Sequence, residues 1–157
     1  MIKSSVLFLC TGNSRRTQMA EGFLRALAGD DFDVVSAGSE ETPLDLDAVA
    51  AMHEVGIDIS GQEPKAVNRF LGRRFSYVIT LCDRQKEKSC PIFPGAIWRM
   101  HWDLEDPSQA PTPGARRETV RRVRDEIQRH VMDFVKNNGM TKGKEQRHEP
   151  RGEGAST

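Results

Sequence analysis

"VLFLCTGNSRRTQMAEG", residues 6–22, passes from four apolar residues into an amphipathic run, with a lone cysteine, Cys10, at the junction. Val6 to Leu9 read as a short strand that is apolar throughout, the pattern of a strand buried on both faces. Ala20, Phe23, Leu24 and Leu27 then recur on one face of a helix, and Gly29 ends it. A polar, glycine-containing turn with two positive charges, Arg15 and Arg16, joins the two elements.

The same alternation continues outward. Phe32 to Ser36 read as a second strand, and Ala48, Val49, Met52 and Val55 have helical spacing before Gly56. Pro64 is expected to open a third helix carrying Val67, Phe70 and Leu71, stopped by Gly72. Tyr77 to Leu81 and Ile97 to Trp102 read as the third and fourth strands. The last helix carries Val120, Val123, Ile127, Val131 and Phe134 at intervals of three and four. Strands alternating with helices predict an α/β domain: a four-stranded parallel sheet with helices on both faces. Sites in such sheets lie beyond the carboxyl ends of the strands. Cys10 and Cys82 both fall at such ends. Residues 1–140 are expected to form a single domain, and 141–157, with no apolar period, a disordered polar tail.

Composition sets the outer bounds. The chain has 157 residues, enough for one domain with a core, and 23 basic side chains against 23 acidic ones. That balance argues against a general nucleic-acid or membrane-surface binder. No apolar run approaches a membrane span, and the apolar core of "MIKSSVLFLCTGNS" is too short for a signal peptide, so a soluble, cytoplasmic protein is expected; a monomer is taken as the default, since the sequence itself does not give the oligomeric state. Three cysteines are an odd number for a secreted disulfide scaffold; in the cytosol, paired cysteines are more often catalytic or redox-sensing.

The turn "CTGNSRR" has a chemical reading. Gly12 permits a tight turn, and Ser14 suits a helix N-cap, which would gather backbone N–H groups around the loop. A helix N-terminus binds oxyanions, and Arg16 adds a planar fork of donors. Thr11, Gly12, Asn13, Ser14, Arg15, Arg16 and Thr17 are therefore the expected oxyanion-binding residues. In that positive setting Cys10 should ionise more readily than a free thiol, with the Thr17 hydroxyl able to donate to the thiolate. The loop would hold an oxyanion and aim a nucleophile at its central atom. A buried cysteine beside an ordinary turn would not require Cys, Gly, Ser and Arg together.

Two further cysteines flank "DRQKEKS": Cys82 and Cys90. Their spacing is no zinc signature, and no metal site is expected. A buried Cys82 with an incidental Cys90 is one reading. The other is a redox pair whose all-polar connecting segment, at most a weakly held surface helix, can loop out.

The loop, in which five residues separate Cys10 from Arg16, resembles the nucleophile loop of the low-molecular-weight tyrosine phosphatase fold. Together with "SAGSE", "GIDIS", "VITLCD", "CPIFPG" and "HWDLEDPSQA", it is similar to the thioredoxin-coupled arsenate reductases of that fold. The resemblance runs from about residue 5 to about residue 135. It implies arsenate as substrate, Cys10 as nucleophile, Asp106 before Pro107 as general acid, and a Cys10/Cys82/Cys90 relay cleared by thioredoxin. It implies no bound cofactor, and a role in arsenical resistance. The family often has a cysteine where this chain has Arg15. Some members bind potassium near the loop; Asn13, Glu21 and Ser36 match that pattern, whereas Glu63 and Lys65 depart from it, so that Lys65 either supplies the charge instead, with no tightly bound potassium expected, or is simply solvated. His101 and Trp102 are expected to fill a strand end, and the arginines of "ARRETVRRVRDEIQRH" to form mostly a solvated face. The alternatives are a tyrosine phosphatase and a non-catalytic oxyanion-binding module. The phosphatases resemble one another in tyrosines after the Asp-Pro; here "DPSQA" follows and Tyr77 is the one tyrosine in the chain.

Overall fold

The computed structural model describes residues 3–12, 15–83 and 92–138. The expected tail and most of "DRQKEKS", with Cys90, lie outside these residues. Four strands, β1 (Ser4–Gly12), β2 (Phe32–Glu40), β3 (Phe75–Thr80) and β4 (Ala96–His101), form one sheet in the order β2-β1-β3-β4. All pairings are parallel, with Val6 opposite Val34 on one side and Tyr77 on the other, and Thr80 opposite His101. Three α-helices accompany it: α1 (Arg16–Ala28), α2 (Leu46–Glu54) and α3 (Pro113–Asn138).

The sheet order explains why β1 is apolar throughout. Val6 and Phe8 point to one face, where they meet Met19, Phe23 and Leu24 of α1, Met52 of α2, and Val123, Ile127 and Phe134 of α3. Leu7 and Leu9 point to the other, against Val78, Phe75 and Phe93. Helical cover on this second face comes, among the described residues, from the 3-10 turn Val67–Phe70. All four β1 side chains are completely buried, each contributing about 1.5–3 kcal/mol of gross hydrophobic stabilisation.

That 3-10 turn replaces the expected helix from Pro64 to Gly72. The preceding backbone is already committed: Lys65 C=O accepts from Gly38 N–H at 2.9 Å, and Ala66 bridges Gly38. Too few residues remain before Gly72, at φ +93°, for more than one turn. Leu27, expected on the buried face of α1, is instead 48% exposed near the helix end. The arginines of α3 form a mostly exposed face, as expected, with Arg124 as the exception. Arg124 is buried, donating to Ala51 C=O and Glu54, both at 2.8 Å, while Arg121 grips the same Glu54 and Arg116 grips Asp47. These contacts clamp α3 to α2.

Because β1 lies between β2 and β3, the chain leaves the sheet in opposite directions on the two sides of β1 and β3. Such a reversal opens a crevice beyond the carboxyl ends of those strands, where α/β sheets bind ligands. The Cys10 loop follows one of these ends, and Cys82 the other.

Candidate active site

Cys10 is still part of β1, paired with Gly38, and is buried. Its Sγ lies 3.6 Å from the carbonyl oxygen of Leu81, the residue before Cys82. Leu81 N–H in turn donates to Leu9 C=O at 2.9 Å, so the two strand ends are stitched together where the cysteines leave them. Cys82 is buried and disulfide-bonded; Cys10 is in no disulfide.

Beyond Gly12 the chain passes Asn13 and Ser14, outside the described residues, and turns into α1. The N-cap falls at Arg15, and Met19 N–H donates to Arg15 C=O at 2.9 Å. The first-turn N–H groups precede that ladder and sit at the positive end of the helix dipole. Thr11 is half-buried and Thr17 wholly buried. Arg16 is 4% exposed, an unusual place for a guanidinium, and Leu104 C=O accepts from its Nη1 at 3.2 Å. The 104–109 stretch thereby supplies both a prop for Arg16 and Asp106. Asp106 caps the 3-10 turn Pro107–Gln109, its Oδ1 accepting from Ser108 N–H at 3.0 Å. Its two carboxylate oxygens face two guanidiniums: Oδ1 is 3.9 Å from Arg15 Nη1, and Oδ2 is 3.9 Å from Arg16 Nη2. A buried guanidinium, a helix N-terminus and a carboxyl group thus lie together beyond the strand end that carries the Cys10 thiol, residue types suited to binding a tetrahedral oxyanion.

Of the residues named for a potassium site, Asn13 lies outside the described residues, and Glu21, Ser36, Glu63 and Lys65 form a charge cluster. Glu21 is buried; one carboxylate oxygen accepts from Ser36 Oγ and lies 3.9 Å from Lys65 Nζ, while the other accepts from Arg25 at 2.6 Å. Lys65 Nζ also donates to Glu63 C=O at 2.6 Å. Burial pushes the Lys65 ammonium below the usual lysine range, with Glu21 opposing the shift. Among the described residues, two cations, Lys65 and Arg25, thus face the Glu21 carboxylate.

His101 and Trp102 fill the strand end as expected. The His101 ring is bonded through Nδ1 to Thr80, and Trp102 stacks on His130 with ring centroids 4.8 Å apart. Sequence reasoning passed over Asp45, which turns out to reach the site: its Oδ2 accepts from Arg15 Nε at 3.1 Å. The sequence offered only a residue type suited to an N-cap.

Comparison with known proteins places this geometry. The model of the low molecular weight phosphotyrosine protein phosphatase family matches residues 5–146. The chain belongs to that family. Within it, an arsenate reductase of Shouchella clausii is 43% identical over 136 residues, 86% of this chain and 97% of that protein. The arsenate reductase of Bacillus subtilis is 42% identical over 131 residues, 83% of this chain and 94% of that one. Among solved structures, an arsenate reductase in the phosphate-binding state superposes with a TM-score of 0.73 at 34% identity, covering 85% of this chain and 98% of that chain. A thioredoxin-dependent arsenate reductase of Corynebacterium glutamicum gives 0.66 at 26% identity, covering 89% of this chain and 64% of that chain.

Proposed function

We propose that this phosphatase-family chain is an arsenate reductase that draws its electrons from thioredoxin through a relay of three cysteines. The observation that carries the reading is the meeting of two thiol positions at one crevice: Cys10 Sγ is 3.6 Å from the carbonyl oxygen of the residue preceding Cys82. A phosphatase needs only Cys10, Arg16 and Asp106, and has no use for a sulfur at the neighbouring strand end. The near-full-length likeness to arsenate reductases supports the same choice.

In this reading the loop residues Thr11 to Thr17 hold arsenate, with Arg16 bonding two of its oxygens. The Cys10 thiolate attacks arsenic, a sulfur–arsenic bond forms, and one oxygen leaves as water with a proton from Asp106. Cys82 then attacks the Cys10 sulfur. A disulfide forms, the sulfur–arsenic bond breaks, and its electron pair stays on arsenic, which departs as arsenite. Cys90 attacks Cys82 and releases Cys10, and a thioredoxin dithiol reduces the remaining disulfide. A Cys10 outside any disulfide alongside a disulfide-bonded Cys82 matches the state this relay reaches after Cys90 attacks Cys82. Such chemistry belongs in the cytosol, where reduced thioredoxin is maintained, and asks for no metal or bound cofactor.

The deciding experiment follows arsenite release from arsenate with thioredoxin, thioredoxin reductase and NADPH, beside hydrolysis of p-nitrophenyl phosphate. Wild type should turn over repeatedly on arsenate. Cys10→Ser should be inactive, Cys82→Ser should stall at the arsenic adduct, and Cys90→Ser should complete one turnover and accumulate a Cys10–Cys82 disulfide. Phosphate ester hydrolysis without arsenite release would establish the phosphatase reading instead. Multiple thioredoxin-dependent turnovers by Cys90→Ser would show that another thiol closes the cycle.

A further inference from the structure

We propose that Asp45 is a positioning residue for the general acid: it fixes Arg15 so that Arg15 and Arg16, one on each side, hold the Asp106 carboxyl group in line for proton delivery. The inference rests on the role given to Asp106 above and deepens it.

Three observations carry it. First, Asp45 stands at the N-cap of α2 with an extended backbone, φ −76° and ψ 126°, yet its side chain makes no capping hydrogen bond. Aspartate at that position ordinarily accepts from the second or third helical N–H. Here Ala48 and Val49 N–H instead donate to the Asp45 backbone carbonyl, both at 3.1 Å. Second, the carboxylate released from capping accepts from Arg15 Nε at 3.1 Å. A guanidinium held at Nε has its plane set, and the outer Nη edge is aimed. Third, that edge meets Asp106: Nη1 is 3.9 Å from Oδ1, matching Arg16 Nη2 at 3.9 Å from Oδ2. Arg16 is braced by Leu104 C=O at 3.2 Å, and Asp45 is the corresponding brace for Arg15.

All three side chains are largely enclosed, with 24% exposure for Arg15, 18% for Asp45 and 15% for Asp106, so solvent screens them less than surface pairs. The competing account is an incidental ion pair, which would contribute little to anything. The two differ in what Asp45 does to Asp106.

Asp45→Asn is the informative change, because asparagine is isosteric and caps helices well. Adduct formation between Cys10 and arsenic should slow about tenfold, the scale of a modest misplacement of a reacting group. The KM for arsenate should change much less, and Asp45→Glu should recover most of the rate. In an Asp106→Asn background, adding Asp45→Asn should cost less than about twofold, since residues acting through one another are not additive. Two NMR signals report the geometry without turnover. The Arg15 Nε–H should lose protection from solvent exchange in Asp45→Ala, which removes the acceptor altogether. The Ser108 amide, which donates to Asp106 Oδ1 at 3.0 Å, should shift. An unmoved Ser108 amide, or rate losses that multiply in the double variant, would overturn the proposal. Should the wild-type protein release no arsenite, the proposed activity fails on that result alone, and the Ser108 amide still decides whether Asp45 positions Asp106.

Discussion

Replacing Asp106 by asparagine should separate the proposed proton transfer from the scaffolding around it. The carboxylate faces two guanidiniums at 3.9 Å. Each pair carries a gross attraction between about 1 kcal/mol in bulk water and about 4 kcal/mol at an effective dielectric near 20. Neither arginine depends on it for its place, because Arg15 is held by Asp45 at 3.1 Å and Arg16 by Leu104 C=O at 3.2 Å. The asparagine carbonyl can still accept from Ser108 N–H, so the 3-10 turn keeps its cap. The cradle should therefore survive, and arsenate binding should change little. What disappears is the transferable proton, usually worth about 10²–10⁴ in rate. Rapid-quench measurement of the Cys10–arsenic adduct should show that loss, while thiol–disulfide exchange between Cys82 and Cys90, followed separately, should change little. Equal slowing of both steps, or a large rise in KM, would refute the reasoning and make Asp106 a structural part of the loop.

Three further outcomes are expected. Cys10 should react with iodoacetamide faster than the other thiols near neutral pH, with a midpoint below that of a free cysteine; an unshifted midpoint would contradict the role of the positive loop. Potassium should not stabilise the protein over sodium at equal ionic strength in thermal melts, because Lys65 lies 3.9 Å from Glu21 Oε1 and Arg25 is bonded to the other oxygen. Hydrogen bonds from Arg121 and then Arg124 lower the Glu54 carboxyl from its usual 4.5 to about 2. A depressed carboxyl stabilises the fold above its unfolded value and ceases to as pH falls through its folded value. The stability gap between wild type and Glu54→Gln in urea titrations should thus be full at pH 7, shrink below about pH 4.5 and vanish near pH 2. A gap unchanged down to pH 2 would sink this assignment.

The legible parts of this sequence were those whose signal is local. An all-apolar strand between two neighbours must be covered on both sides, and Val6 to Leu9 say so directly. The Cys10-to-Arg16 turn carries its chemistry in consecutive residues. The five apolar positions of α3 fixed that helix, though not its start at Pro113. What failed was long-range. Nothing near Pro64 announces that Gly38 will claim the Lys65 carbonyl and leave room for one turn. Nothing in an arginine-rich repeat says that Arg124 will be buried against Ala51 and Glu54, some seventy residues away. Asp45 was hidden for a subtler reason: its local preference as a cap is satisfied by position, and only the fold reveals that its carboxylate is turned to Arg15.

The way the two strand ends terminate also suggests why the proposed labour is divided as it is between the first two cysteines. Cys10 is inside the ladder, paired with Gly38, and β1 continues past it to Gly12. A nucleophile so held cannot wander from the oxyanion cradle, which suits the step that needs alignment with arsenic. β3 ends at Thr80, and its last stitch to β1 is Leu81 N–H to Leu9 C=O. Cys82 comes immediately after that stitch, anchored on one side and outside the sheet on the other. A resolving thiol must reach a disulfide geometry with Cys10 and then leave it, and disulfides tolerate Cα separations of only about 4.4–6.8 Å. A cysteine within a strand could not make both moves without breaking the ladder, whereas a cysteine two residues past the strand end can swing on the Leu81 anchor. Moving Cys82 two residues earlier in the chain, to position 80, would place it opposite His101 inside the sheet. Arsenic capture should persist in such a protein, and release of arsenite should fail.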